Sequence, residues 1–235
     1  MQWFSNGVNS LMKKLKADLH LHTKEDPQDS VKYSGRELID QAYLKGFDVL
    51  AITNHDQVTY DNYLAEYAKE REILLIPGVE ATIGKKHVLL LNVDHSFHRI
   101  RTFDDLKLLK NGAGLIIAPH PFFPSFSSLN SKLEEHLDIF DAIEYSHCYL
   151  PNINFNKKAE DLAKEFSLPL IGTSDAHFLW QIGTTYSLIE AEKDLESVIA
   201  AIREGKIEIV TEPLSLPRAC SIVWMLLSHM IRGGF

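Results

Sequence analysis

Near its N-terminus the chain reads Asp18-Leu19-His20-Leu21-His22, an alternation of polar and apolar residues. In a strand, a period of two puts Asp18, His20 and His22 on one face. Two imidazoles so placed can bind one metal ion, and neutral imidazole suits Zn, Mn or Fe. Five further groups carry similar donors: Asn54-His55-Asp56, Gly78-Val79-Glu80, His87, Pro119-His120-Pro121 and Ser174-Asp175-Ala176-His177. Singly each is weak, because eleven histidines in 235 residues produce such pairs by chance. Brought to one place, they would be costly as bare charges and favourable around divalent cations. The joint pattern therefore points to a metal site.

Those groups need elements to hold them. Short apolar runs at 17–22, 49–54, 73–76, 87–93, 115–119, 142–145, 168–173 and 186–190 are predicted strands. Helix-period stretches lie between them at 35–45, 59–71, 103–111, 154–166 and 194–203. The first of these has Ser34 as N-cap and Gly46 just past its end. Strand–helix alternation predicts an α/β fold with a mainly parallel sheet. Five of the six groups stand at or just past the C-terminal end of a strand, and His87, at the start of its strand, is the exception. In a parallel barrel those ends converge on one face.

One domain is expected over 16–213, with Pro213 and Pro217 at the joint to an apolar tail, 214–235. The apolar run at 222–231 is short of the about 20 residues a spanning helix needs. It is expected to form a helix packed on the domain, on a partner chain or at a membrane surface. Hydrophobic residues make up 45% and aromatics 10%, as in folded proteins. With 24 Lys+Arg against 32 Asp+Glu, the net charge of −8 disfavours duplex nucleic acid as a partner. Cys148 and Cys220 cannot make a disulfide scaffold, and residues 1–16 carry no apolar core of signal-peptide length, so a cytoplasmic location is expected.

Taken in order from Asp18 to His177, these motifs resemble the PHP family, named for its occurrence in DNA polymerases and histidinol phosphatases. The resemblance implies a distorted (β/α)7 TIM-like barrel with a helical C-terminal tail, holding three divalent metal ions and hydrolysing phosphate esters. Carried over, the first metal takes His20, His22, Glu80 and Asp175, and the second shares Glu80 and adds His87 and His120. The third takes His55, His177 and an acidic residue from the loop after His22. That loop, Lys24-Glu25-Asp26-Pro27-Gln28-Asp29, departs from the family pattern; Asp26 is the first choice and Asp29 the second. The implied catalytic set is His20, His22, Glu80, Asp175 and His177.

A hydroxide bridging two such cations would attack phosphorus in line, on a small phosphorylated metabolite or nucleotide. No Gly-x-Ser-x-Gly motif offers a covalent alternative. Asp18 and Asp56 are expected to orient imidazoles by accepting their second N–H, with a turn or cap as the competing role for Asp56. His147 either touches substrate or metal or packs at a strand end. Lys24, Arg99 and Arg101 are candidates for a phosphate clamp, and the loop 122–131 for a pocket wall. Histidines 95, 98, 136 and 229 are expected to be structural or exposed. Two other functions compete: a metal-dependent C–N hydrolase of amidohydrolase type, and a metal-binding regulatory barrel without turnover.

Overall fold

A computed structural model describes residues 14–110 and 112–231. Residues 1–13, Asn111 and residues 232–235 lie outside the described residues. Among the described residues nine strands form one sheet in the order β7-β6-β5-β4-β3-β2-β1-β8-β9. They are β1 (Lys14–Leu21), β2 (Val49–Ile52), β3 (Leu74–Ile83), β4 (Lys86–Leu91), β5 (Leu115–Ala118), β6 (Ala142–Ser146), β7 (Leu170–Thr173), β8 (Thr185–Glu190) and β9 (Ile207–Thr211). The helices are α1 (Gly35–Leu44), α2 (Asn62–Lys69), α3 (Phe103–Lys110), α4 (Ser131–Glu135), α5 (Lys157–Phe166), α6 (Leu195–Arg203) and α7 (Leu216–Ile231). Helix α1 opens with a capping box between Ser34 and Glu37, and Asp61 and Asp194 cap α2 and α6.

The sheet curls into a nearly closed, TIM-like α/β barrel. Ser187 on β8 bonds both the N–H and the carbonyl of Gly172 on β7, at 2.9 and 3.0 Å. Ala176, just past β7, bridges Leu21 at the end of β1, and the His22 N–H donates to the Ala176 carbonyl at 3.2 Å. Inside lies an apolar cluster of Leu15, Ala17, Leu19, Val49, Ala51, Ile76, Leu89, Ile117 and Ile171, which α6 joins through Val198, Ile199 and Ile202. Outside, α1 and α2 cover Leu21, Leu50, Ile52 and Leu75, and α3 and α5 cover the β3–β6 side.

Two departures from simple alternation shape the site. Strand β4 runs antiparallel to both β3 and β5, after a tight turn in which Gly84 and Lys85 both have positive φ (56° and 67°). The start of β4 thus lies beside the ends of its parallel neighbours, which is why His87 opens its strand and still reaches the same face. In β1 the register against β2 slips between Asp18 and Leu21. Ala17 and Leu19 pack inside and Leu21 packs outside, so the alternation breaks where the histidines begin.

Strand β3 extends seven residues past the expected 73–76 run into a long hairpin with β4. Strand β9 and helix α4 were not anticipated from the sequence. Helix α7 is anchored by buried Ile222, by buried Leu214 just before it, and by the Arg218 guanidinium 4.9 Å from the Trp180 ring centre. Leu216, Val223, Trp224 and Leu227 stay exposed, so the expected packing on the domain covers little of its apolar surface. Among the described residues no helix is long and apolar enough to cross a membrane.

Candidate metal centre

Glu80 is 1% exposed, and its two oxygens face different histidines. Oε1 lies 2.7 Å from His87 Nδ1 and 3.0 Å from His120 Nε2. Oε2 lies 3.2 Å from His20 Nε2, 3.3 Å from His22 Nε2 and 3.1 Å from His55 Nε2. Asp175 Oδ1 adds a second acceptor, 3.4 Å from His20 Nε2 and 3.2 Å from His22 Nε2. Asp26 Oδ2 touches His22 Nδ1 at 2.9 Å and His55 Nδ1 at 3.0 Å, and Asp29 Oδ2 touches His177 Nε2 at 2.7 Å. Both loop aspartates therefore reach the cluster.

Among the described residues four overlapping groups converge closely enough to hold a cation: His22-Asp26-Asp29-His55, His20-His22-Asp175, His20-Glu80-His120 and His55-Glu80-His87. The donor set fits divalent metal in a further respect. His22 Nε2 and His87 Nδ1 approach carboxylate oxygens, yet neither makes an aligned hydrogen bond. Nitrogens and oxygens that close without pointing at each other are arranged as ligands of a common centre are. Two site residues sit in left-handed backbone, His120 with φ 25° and Asp175 with φ 44°. Such strain persists only where the surroundings fix it.

The electrostatics follow from burial and mutual contact. For Glu80 and Asp175, burial is the largest influence and opposes ionisation. It is outweighed by His87, His55 and His20 around Glu80, and by His20 and His177 around Asp175, so both are held well below the usual carboxylate range. For His20 and His22 burial again opposes the charged form and is again outweighed. Asp175, Glu80 and Glu144 hold His20 well above its ordinary value, and Asp175, Asp26 and Glu80 do so for His22. Asp29 is drawn down to about 2: burial works against this, and the His177 bond overcomes it.

Not every expected residue joins the cluster. Asp18 hydrogen-bonds no imidazole, so it does not take the orienting role. Its Oδ1 accepts the backbone N–H groups of Ser174 and His20 at 3.1 and 3.5 Å. Asp56, with φ 49°, ties β2 to the β3–β4 hairpin through the Thr82 N–H and hydroxyl, which is the turn role rather than the orienting one. Arg99 and Arg101 are exposed on the connection from β4 to α3, and no bond joins either to the cluster. Lys24 is exposed one residue past buried Thr23, beside the site.

His147 is 2% exposed at the end of β6. Gln181 Oε1 accepts the N–H groups of His177 and Phe178, so its amide nitrogen faces His147 Nε2, at 2.8 Å. Burial pushes His147 down to about 4, so it is a neutral ring whose Nε2 accepts. Burial pushes the neighbouring Cys148 thiol up to about 12, an unreactive state.

Sequence reasoning missed Glu144, Thr173 and Gln181 as parts of the site. Glu144 is fully buried. Its one signal was a carboxylate within the apolar strand Ala142-Ile143-Glu144-Tyr145, where a charge must have a partner.

Residues 154–207, a segment holding Asp175 and His177, match the PHP-associated family PHP_C. An uncharacterised protein of Methanocaldococcus jannaschii is 27% identical over 166 residues, covering 64% of this chain and 95% of that one. A two-domain protein from Bacteroides vulgatus, containing a predicted PHP-like metal-dependent phosphoesterase, superposes with TM-score 0.65 at 20% identity, over 85% of this chain and 65% of that one. The lesion-specific endonuclease EndoQ of Pyrococcus furiosus gives TM-score 0.59 at 17% identity, over 89% of this chain and 66% of its own. At these identities the likeness to the two solved structures is one of fold, and this chain spans about two thirds of each.

Proposed function

We propose, on the premise that this chain is a PHP-domain protein, that it is a hydrolase of phosphate esters working with divalent cations held in its histidine–carboxylate cluster. The carrying observation is Glu80, whose two oxygens each face a separate set of imidazoles, as a carboxylate shared between two cations would. His20, His22 and Asp175 would hold one cation with Glu80, and His87 and His120 a second. His55, His177, Asp26 and Asp29 would hold a third. The ligand types suit Mn, Zn or Fe. When bound, these cations supply charge for the phosphoryl oxygens and acidify water to a nucleophile near neutral pH.

The protein's own groups do the rest. Gln181 fixes the backbone at His177 and Phe178. Lys24, exposed next to the loop aspartates, is the residue we assign to an incoming phosphate, and His147 remains a neutral neighbour of the site. The inert Cys148 thiol disfavours a covalent cysteine route. Free Cys148 and Cys220 fit a reducing compartment such as the cytoplasm.

The substrate we favour is a small phosphorylated metabolite or nucleotide. Elemental analysis combined with a panel of phosphomonoesters, phosphodiesters, short oligonucleotides and amides tests the reading. About three cations per chain are expected, with phosphoester turnover that His20→Ala lowers by roughly 1,000-fold or more. Cations with amide turnover alone would transfer the assignment to a C–N hydrolase, and cations without turnover to a regulatory barrel. Absence of cation binding would overturn it entirely.

A further inference from the structure

Glu144 lies at the centre of β6, fully buried, and is not among the residues that converge closely enough to hold a cation. Its Oε1 accepts from the Thr173 hydroxyl on β7. Its Oε2 accepts the backbone N–H of His120 at 2.7 Å and lies 3.3 Å from His20 Nδ1. The opposite nitrogen of His20, Nε2, faces Glu80 and Asp175. One carboxylate on one strand therefore touches β1, the turn after β5, and β7.

We infer that Glu144 is a positioning residue that aligns two neighbouring cation sites at once, through the ring of His20 and the backbone of His120. A carboxylate on Nδ1 keeps the proton there and leaves Nε2 as the lone-pair nitrogen aimed between Glu80 and Asp175. The second contact works on conformation. His120 sits at φ 25°, a region a residue with a side chain rarely adopts, and its N–H is bound by Glu144. That bend carries His120 Nε2 to within 3.0 Å of Glu80 Oε1. Thr173 fixes the far oxygen, so the carboxylate plane cannot swing away from either target. The group around His55, His177, Asp26 and Asp29 has no contact with Glu144 and does not depend on it.

The inference rests on the metal-centre reading, and the test separates the two. Binding of Mn2+ and of Zn2+ is measured by calorimetry with chelator competition, on the full chain and three variants. Glu144→Ala is expected to weaken the cations held through His20 and His120 by roughly 10–100-fold, leaving the His55–His177 cation unchanged. Glu144→Gln can present its carbonyl oxygen to His20 and His120 and its amide to the Thr173 oxygen. It should recover part of the loss, a rescue that mere core damage would not show. Thr173→Val keeps volume and removes only the far anchor, so a smaller loss in the same two sites is expected. It keeps the question answerable if Glu144→Ala does not fold. Unchanged affinities across Glu144→Gln and Thr173→Val, or equal losses at all three sites, would overturn the role of Glu144. Wild-type protein that binds neither cation would instead overturn the metal reading.

Discussion

At Glu80 five imidazole nitrogens approach one carboxylate, so a proton and a cation would compete for the same nitrogens. Glu80 and Asp175 stay ionised because both are held well below the usual range, so among the candidate ligands pH dependence comes from the imidazoles, with buried Asp18, pushed up to about 7, titrating beside them. His20 and His22 are held well above their ordinary value, which means that the fold binds their protonated forms more tightly than the unfolded chain does. Without cations, that stabilisation is complete below the unfolded value of 6.5 and fades as pH rises through the raised values. Cations need the same nitrogens deprotonated, so their affinity rises over the same interval. The gain in melting temperature on adding Mn2+ should therefore grow between about pH 6 and about pH 8. Calorimetry in two buffers of unlike ionisation enthalpy should show protons released on binding. A gain that stays flat or shrinks with pH would mean that these imidazoles are not the ligands.

At the scale of elements, the apolar runs and the strand-end residues were readable, because burial of a strand and convergence of its end both leave marks in local sequence. Direction was not readable. His87 looked misplaced until β4 proved antiparallel, and a two-residue turn at Gly84-Lys85 decides that reversal. The β1 register slip was also invisible, since Asp18-Leu19-His20 alternates perfectly on paper. Glu144 was missed because its partners come from β1, the turn after β5, and β7, at sequence separations of 124, 24 and 29. Closure of the barrel is likewise a long-range matter and rests on Gly172. A Cβ there would stand 2.6 Å from Ile209 Cγ2 and 3.0 Å from the Tyr186 carbonyl. Gly172→Ala should push β7 off the β8–β9 hairpin and cost about 1–3 kcal/mol, read as a fall of several degrees in melting temperature. Because Asp175 and Ala176 follow directly on β7, cation affinity should fall with it. A variant that melts with the wild type would show that the hairpin is free to give way.

For the molecule as a whole, the fold does not choose the substrate, since one barrel serves a PHP-like protein and a lesion-specific endonuclease alike. Charge bears on the choice. The chain carries a net −8, and among the described residues many surface cations are already engaged by carboxylates. Lys14 pairs with Glu208 at 2.6 Å, Lys107 with Asp104 at 2.9 Å, Lys158 with Glu134 at 2.5 Å and Lys206 with Glu204 at 2.6 Å. Duplex binding draws its affinity from unpaired Lys and Arg that release counterions from the phosphate backbone. On that ground duplex DNA is expected to bind weakly. Labelled duplex DNA mixed with up to about 10 μM protein at about 0.15 M salt should show no saturable rise in anisotropy. The same protein should still turn over small phosphate esters under those conditions. Saturable binding that weakens steeply with added salt would reverse the preference, and nucleic-acid phosphodiesters would become the substrate class to pursue.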